Sequence, residues 1–321
     1  MKRVTKEKNL KKDNGFWSYF LRNKLLYIMV VPMIVYFLVF NYYPMTGLQL
    51  AFKDWDPWKG IWGSPWATTD GAIDIFKHFR ELFFGEGTEF WVKFGNTIRI
   101  SLLKTVFGFP VPIILAVFFN EMRSAKIRKG LQTVSYLPHF ISWVILGGIF
   151  LSMGAADSDF ELFIEKIFGR QIYFFNDSDM FLVILVISNI WKGAGWGTII
   201  YFAALSGVPS EQYEAAEIDG AGRMAKILKI TLPSIVPAIS IKLIFEISAL
   251  TSAGFDQIFN MYNSTVYEKG DVLETYLYRK GVIAGSNDVA TALGLFNSAI
   301  SLALTLIANK IIKKMGGEGI W

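Results

Sequence analysis

The chain contains no cysteine and only two histidines, His78 and His139. The first absence excludes disulfide scaffolds, thiolate metal sites and cysteine nucleophiles. The second excludes a histidine-rich metal centre. Charge is also scarce: 18% of the 321 residues are charged, against about 25% in soluble globular chains. What is abundant is apolar. Hydrophobic residues make up 53% and aromatics 16%, with 28 Phe, 13 Tyr and 10 Trp, and the mean hydropathy is +0.38. This composition excludes disorder and argues against an ordinary soluble enzyme. The aromatic load is the one expected where protein meets a membrane interface.

A membrane-crossing helix needs about 20 mostly apolar residues to cover about 30 Å of hydrocarbon. Six stretches qualify. They are the uncharged run between Lys24 and Lys53, then about 96–120 (with Arg99 and Lys104 near its start), 131–153 (holding only His139), 180–203 (interrupted by Lys192), 233–253 (carrying Lys242 and Glu246) and about 289–308. Unpaired backbone cannot face lipid, so these are helices or a closed barrel. Runs this long lack the dyad alternation of barrel strands. The expectation is an all-α integral membrane protein with six transmembrane helices.

Lysine and arginine set the orientation. Eight lie in residues 1–24, four in 121–130, three in 204–232 and three in 309–321. The longer intervening loops 41–95, 154–179 and 254–288 carry only five, two and three. The sparse loops are expected outside and both termini in the cytoplasm. This divides the chain into a basic segment 1–24, a membrane domain 25–312 with its coupling loop at 204–232, and a tail 313–321. The net charge of +5 and pI of about 9.1 fit this topology better than nucleic acid. The apolar run after the basic segment lacks a small-x-small cleavage pattern and reads as a retained anchor. In loop 41–95, Trp55, Trp58, Trp62 and Trp66 read as belt anchors or sugar-stacking platforms. Residues 73–84 would group Phe76, Phe79 and Phe83 on one face of an interfacial helix. A shorter amphipathic piece spans 160–168.

The loop between the fourth and fifth runs reads as two short helices joined by a turn. Ser210 is a candidate N-cap, with Glu211 in the first turn where the helix dipole favours an anion. Ala215 and Ala216 would admit a close neighbour, and Asp219-Gly220 would end the first helix through a left-handed glycine. Apolar Ile227, Leu228, Ile230 and Leu232 sit beside Arg223, Lys226 and Lys229, and Pro233 opens the next span. Such an elbow suits docking into a cleft on a partner.

Glu214-Ala215-Ala216, three residues, Gly220, nine residues, Ile230, one residue and Leu232-Pro233 resemble the EAA loop of permease subunits in binding-protein-dependent ABC importers. The wider chain resembles six-span carbohydrate-uptake permeases serving complex oligosaccharides in Gram-positive bacteria. That likeness runs through Gly108-Phe109-Pro110 with Asn120-Glu121, 135–140, Trp191-Lys192 with Gly195-Trp196-Gly197, and 254–259. Met224 and Ile227 stand where many relatives place aromatics. The resemblance implies a type I ABC importer permease fold in the bacterial plasma membrane. It implies an ATPase contact through Glu214, Ala215, Ala216, Asp219 and Gly220, and partners comprising a second homologous permease, a dimeric ATP-binding subunit and an extracellular solute-binding lipoprotein. No Gly-x-x-x-x-Gly-Lys-Ser/Thr phosphate loop occurs, so ATP and Mg are expected on the partner. This chain itself is expected to bind no cofactor or metal and to catalyse nothing.

Charges in mid-membrane are costly, about 2.5–3.5 kcal/mol each on insertion scales, and face a partner or a wet cavity. Lys192, flanked by Trp191 and Trp196, reads either as part of a sugar pathway or as a snorkelling or ion-paired lysine. In the first case Lys192→Ala would weaken uptake of acidic sugars more than of neutral ones. Lys242 and Glu246, at i, i+4, read as a structural pair or as substrate contacts. Arg99 and Lys104 are expected to snorkel outward, and His139 to be packed and neutral. Asp256 and Gln257 follow the fifth run, a region that in the resembled family faces the vestibule and the docked binding protein. The implied cargo is an oligosaccharide, with uronate-bearing fragments of plant or algal polysaccharides one expectation. The rivals are an ion-coupled secondary transporter, which would want membrane carboxylates, a permease for a non-sugar solute, and a membrane enzyme on lipid-linked sugars. For the last, Asp54 and Asp56 are the best available acids, and they look like turn residues.

Overall fold

A computed structural model describes residues 19–20, 22–85, 89–155 and 158–321. Most of the basic segment 1–24 therefore lies outside the described residues. Among the described residues five helices are long and apolar enough to cross a membrane: α1 (Lys24–Phe52), α3 (Phe90–Asn120), α7 (Ser178–Leu205), α9 (Arg223–Thr251) and α12 (Asn287–Lys314). The third apolar run departs from expectation. It is not one straight span but a pair, α4 (Ala125–Phe140) and α5 (Trp143–Met153), bent by 93° at Ile141-Ser142. Pro138 lacks an N–H and tightens the end of α4 into a 3-10 turn. Ser142 then caps α5, its side chain accepting the Ile145 N–H.

Between α1 and α3 the chain folds on itself rather than lying free. A hairpin pairs β1 (Thr68–Thr69) with β2 (Ala72–Ile73), Thr68 opposite Ile73. Its turn residues Asp70 and Gly71 both have positive φ, the twist-matched geometry of two-residue hairpins. The amphipathic helix is shorter than the sequence reading, α2 spanning Lys77–Phe84, because the hairpin takes its first residues. Phe76, Phe79 and Phe83 do form a row, with ring centroids 6.2 and 6.4 Å apart. That row is covered only in part: Phe83 packs on Phe90 and Phe296, whereas Phe76 remains exposed, and the buried residues of α2 are His78 and Leu82. Trp58, Trp62 and Trp66 remain exposed, as belt or stacking residues would be. The piece at 160–168 is helix α6 (Asp159–Phe168), capped by Ser158 and closed by Gly169 in the left-handed conformation.

The core of the described residues has three parts, the smallest formed by Ile244 of α9 with Ala308 and Ile312 of α12. Ile100 of α3, Phe181, Leu182 and Leu185 of α7, and Ile258 and Met261 of α10 (Phe255–Met261) form one cluster. Leu82, Phe90, Leu273, Tyr276 and Leu293 form another at the end bearing the hairpin. By contrast, the α1 span buries none of its most apolar window, so its whole face meets lipid or another chain.

Asp271 ties the 262–279 segment to α3. It is fully buried, with Lys93 Nζ at 2.9 Å, Thr275 Oγ1 donating at 2.6 Å and Arg279 donating at 2.9 Å. Asn96 donates to the Asp271 carbonyl at 3.0 Å, and Thr97 accepts the Leu273 N–H at 2.9 Å. Burial alone would raise the carboxyl's pKa, but the bonds from Arg279, Thr275 and Lys93 outweigh it and hold the pKa below the ordinary value. A depressed folded-state pKa stabilises above the unfolded-state value of about 3.9, and that contribution disappears as pH falls through the folded-state value. Asp271→Asn should cost about 3–5 kcal/mol near neutral pH by stranding two cations. A melting profile from pH 7 downward should fall less steeply for the variant than for the wild type.

Gly195 of α7 faces the Ser135 carbonyl of α4 so closely that a Cβ would collide with backbone. Gly195→Ala should separate these helices and cost about 1–3 kcal/mol. Gly148→Ala, with nothing within 4 Å of the new carbon, should be neutral in the same thermal unfolding assay.

Candidate functional site

Two features carry chemistry: an exposed elbow at one end of the bundle and a polar cavity within it. In the elbow, α8 (Ser210–Ile218) ends on Gly220 with φ +75. The Gly220 N–H bonds the Glu217 carbonyl at 3.0 Å and the Ala221 N–H bonds the Ala216 carbonyl at 2.8 Å. This is the paired closure of a Schellman motif, for which an achiral residue is best suited. Ser210 is the first helical residue and makes no side-chain cap, since the chain enters through extended Pro209. Glu214, Ala215, Asp219 and Gly220 are exposed and Ala216 half-buried. Ile218 is 87% exposed, a large apolar side chain left uncovered on an otherwise polar helix.

The elbow is fastened to the spans. Arg223 at the start of α9 donates Nε to Glu121 at 2.7 Å, and its Nη2 to the Glu121 carbonyl at 3.0 Å. Lys226 pairs with Glu217 at 2.5 Å, which keeps the Glu217 carboxyl ionised to lower pH than usual. Tyr213 and Thr231 share a hydroxyl–hydroxyl bond at 3.1 Å. The elbow is thus joined to α9 through Glu217–Lys226 and Tyr213–Thr231, and the start of α9 to the end of α3 through Arg223–Glu121.

The cavity, about 260 Å³, lies among α3, α7 and α9 and is lined by Lys104, His139, Trp196, Tyr201, Lys242 and Glu246 among others. A second space of about 180 Å³ shares Lys104, Asn189 and Glu246 and adds Trp143 and Gln257. Of the pathway residues read from sequence, the fold thus brings Trp196, Lys242 and Glu246 to one cavity and Gln257 to its neighbour. Lys242 and Glu246 pair at 2.7 Å. Trp196 stacks on His139 with centroids 4.4 Å apart and planes nearly parallel. Trp191 stands half-exposed, edge-on to Phe150. Asp256 is exposed and lines neither space.

Lys192 lines neither space. Its ammonium donates to the carbonyls of His139 at 2.7 Å, Ile141 at 2.5 Å and Pro138 at 3.3 Å, and it sits 5.5 Å from the Trp143 ring centre. The first two are the carbonyls released where α4 breaks from α5, so Lys192 acts as a cationic cap on the break. It shares the face of α7 on which Gly195 admits α4, one turn away.

Lys104 is the residue the sequence reading placed wrongly. The helix starts at Phe90 rather than near Asn96, so Lys104 lies at mid-span, too deep to snorkel. It donates instead to the Ala253 carbonyl at 2.6 Å and to Gln257 Oε1 at 2.5 Å. Arg99, nearer the end, does reach a polar partner, Asp179, at 3.8 Å. The available signal for Lys104 was its distance from Asn120: sixteen residues of helix place it about 24 Å from that end.

Asp54, His78 and Asp288 bring ligand-type atoms within 4.8 Å of one another. Their hydrogen bonds are made within the protein instead, with His78 Nδ1 buried and making none. His78 Nε2 faces the Lys53 carbonyl at 3.0 Å and therefore carries the proton. Asp54 accepts Lys77 at 2.8 Å and the Thr68 N–H, and Asp288 accepts the Trp55 N–H at 3.2 Å. Burial would raise the Asp54 pKa, yet the Lys77 and Thr68 bonds hold it below the usual carboxylate value. The cluster seats the 53–78 segment on α12, and Asp54 is a fastening residue rather than an acid facing an open site.

The fold is thus a bundle of membrane-length helices with an internal cavity and an exposed, glycine-closed elbow between two of them. The chain belongs to the family of binding-protein-dependent transport system inner membrane components, whose model matches residues 108–259. It is 39% identical to Protein LplB of Bacillus subtilis over 94% of this chain and 92% of that protein. It is 40% identical to the polygalacturonan/rhamnogalacturonan transport system permease protein YteP of the same organism, over 94% and 91%. Among solved structures, a chain of a bacterial alginate ABC transporter in complex with an alginate pentasaccharide-bound periplasmic protein superposes with a TM-score of 0.83. The two share 38% identity over 95% of this chain and 99% of that one.

The capping geometry of Lys192 predicts a structural phenotype. Lys192→Met removes the ammonium from the His139 and Ile141 carbonyls, while the Pro138 carbonyl keeps the Ile141 N–H, and should cost on the order of 1–3 kcal/mol. Lys192→Arg keeps a cation with N–H donors and should retain most of the wild-type melting temperature in purified protein.

Proposed function

We propose that this chain is the translocating subunit of an ATP-driven importer that receives oligosaccharides from an extracellular binding protein and passes them inward by alternating access. The observation that carries this reading is the Gly220-closed elbow. It is exposed, it bears the uncovered Ile218, and it is pinned to the ends of two spans by Arg223–Glu121 and Tyr213–Thr231. Alternating access requires an energy source coupled to a two-state element. The chain has no phosphate loop of its own, so the energy comes from a dimeric ATP-binding subunit holding ATP and Mg. Glu214, Ala215, Ala216, Asp219 and Gly220 form the contact.

The elbow's side is the cytoplasm, in keeping with the lysine and arginine bias, and both termini share it. The unburied apolar window of α1 favours a second, homologous permease completing the path. Cargo follows from chemistry and kinship together. Trp196 offers an aromatic edge and Lys104, Lys242 and Glu246 offer polar contacts, while the relatives are named for polygalacturonan/rhamnogalacturonan transport and for alginate. Fragments of acidic polysaccharides are therefore the substrates proposed.

The test is uptake by the whole importer in proteoliposomes. Uptake should need ATP inside, on the ATPase side, and should survive an uncoupler. Persistence without the ATP-binding subunit, or collapse with the uncoupler, would give the protein to the secondary-transporter class. Gly220→Val forces a β-branched residue to φ +75, which costs about 1–2 kcal/mol locally, yet meets no neighbouring atom within 4 Å. The variant should fold, lose co-purification of the ATPase and drop uptake about tenfold or more. Gly222→Ala, equally open but at ordinary φ, should leave both intact.

A further inference from the structure

We infer that Lys104 is the residue that selects for negatively charged sugars, by offering its ammonium to a uronate carboxylate at the junction of the two internal spaces. This rests on the reading of the chain as an oligosaccharide permease and assigns the specificity to one side chain.

Four observations converge. Lys104 is the charged residue at the midpoint of α3, where the membrane is deepest, and a cation there calls for an anion or a water-filled space. It lines both the 260 Å³ and the 180 Å³ spaces. Among the described residues no carboxylate lies within ion-pairing distance of it. The other charges of these walls cancel, because Glu246 is held by Lys242 at 2.7 Å. The unbalanced charge of the two spaces is therefore that of Lys104.

Its geometry suits recognition rather than capping. An ammonium has three donors, and two are committed, to the Ala253 carbonyl and Gln257 Oε1. Gln257 is itself immobilised: its Nε2 donates to the Leu185 carbonyl and to Ser188 Oγ, both at 2.8 Å, and it is 1% exposed. The ammonium is thus held at a fixed point with one donor left for the cavity, a preorganised half of a charge-assisted bond. Lys192 differs: its protein acceptors are three carbonyls, and it lines neither space.

The experiment compares uptake of a galacturonic acid pentamer with uptake of the same pentamer after its carboxyls have been reduced to alcohols, in the complete reconstituted importer. Lys104→Met should lower uptake of the acid form about tenfold more than uptake of the reduced form, and Lys104→Arg should restore the preference. Lys104→Gln keeps a polar side chain beside the same acceptors but removes the charge, and it should lose the preference for the acid form. It decides the matter even if Lys104→Met does not assemble. Equal losses of both pentamers in Lys104→Met together with rescue by arginine, or an unchanged ratio in Lys104→Gln, would overturn the assignment. ATP-dependent uptake of the reduced pentamer by the wild type shows that the permease reading stands independently of that outcome. Its absence, with no uptake of either pentamer, would remove the permease reading as well.

Discussion

Backbone polar groups freed inside a membrane have no water to turn to, and the rest of this structure depends on how they are answered. The 93° break between α4 and α5 releases carbonyls at His139 and Ile141. One lysine from the neighbouring helix answers both and adds a bond to Pro138, whose carbonyl also takes the Ile141 N–H. The same logic recurs at the end of α9. There the helix tightens into a 3-10 turn at Ala249–Thr251, and the carbonyl of Ala253 is met by Lys104. Lys192 and Lys104 thus each have a backbone reason to exist before any ligand is considered. The difference between them is the number of carbonyls each must serve.

That constraint organises the packing. Because Lys192 holds the break, α4 stays close to α7, and the close approach is possible only over Gly195. Because α4 is held there, His139 lies flat on Trp196 and closes one wall of the polar cavity. The far end is fixed by a different device, the buried Asp271 with its cations and hydroxyl. A carboxylate with several donors is favourable in such a setting only when all are present. The two ends are therefore rigid in different ways. The elbow between α7 and α9 is left exposed, tied only by ion pairs and a hydroxyl contact at its rim.

Much of this was legible in the sequence. Long apolar runs place helices whatever the packing, and the glycine after Asp219 announces a left-handed closure because few other residues tolerate it. The spacing of Lys242 and Glu246 puts them one turn apart, and they do pair. What failed were inferences about depth and direction. The third run looks continuous, since Pro138 and Ser142 interrupt neither its hydropathy nor its length. Only the tertiary contact from Lys192 makes a sharp break tolerable. Lys104 was misplaced because the second span begins at Phe90, where Trp91 and Lys93 read as loop. Lys93 is in fact buried on Asp271, 178 residues further along the chain, and no local pattern encodes such a pairing. Ser210 looked like a cap by type, but the extended Pro209 before it sets the entry of the chain.

The contrast between the two lysines bears on how charge selectivity can arise in a path made of helices. A cation placed to read a ligand must be held, or its rotamer freedom erodes the gain from binding. It must also keep a donor free, or it reads nothing. Holding by carboxylates would neutralise it. Holding by carbonyl and amide oxygens leaves its formal charge intact, because those acceptors are dipoles and not ions. Ala253 and Gln257 are acceptors of that kind, and Gln257 is fixed in turn by Leu185 and Ser188 of α7. The supporting residues come from α7 and α10 and the reading residue from α3. A relative motion of these helices during alternating access would therefore alter the position of the ammonium as well as the shape of the cavity. On the reading proposed for Lys104, the affinity for an anionic cargo and the conformation of the permease would be coupled through the same hydrogen bonds.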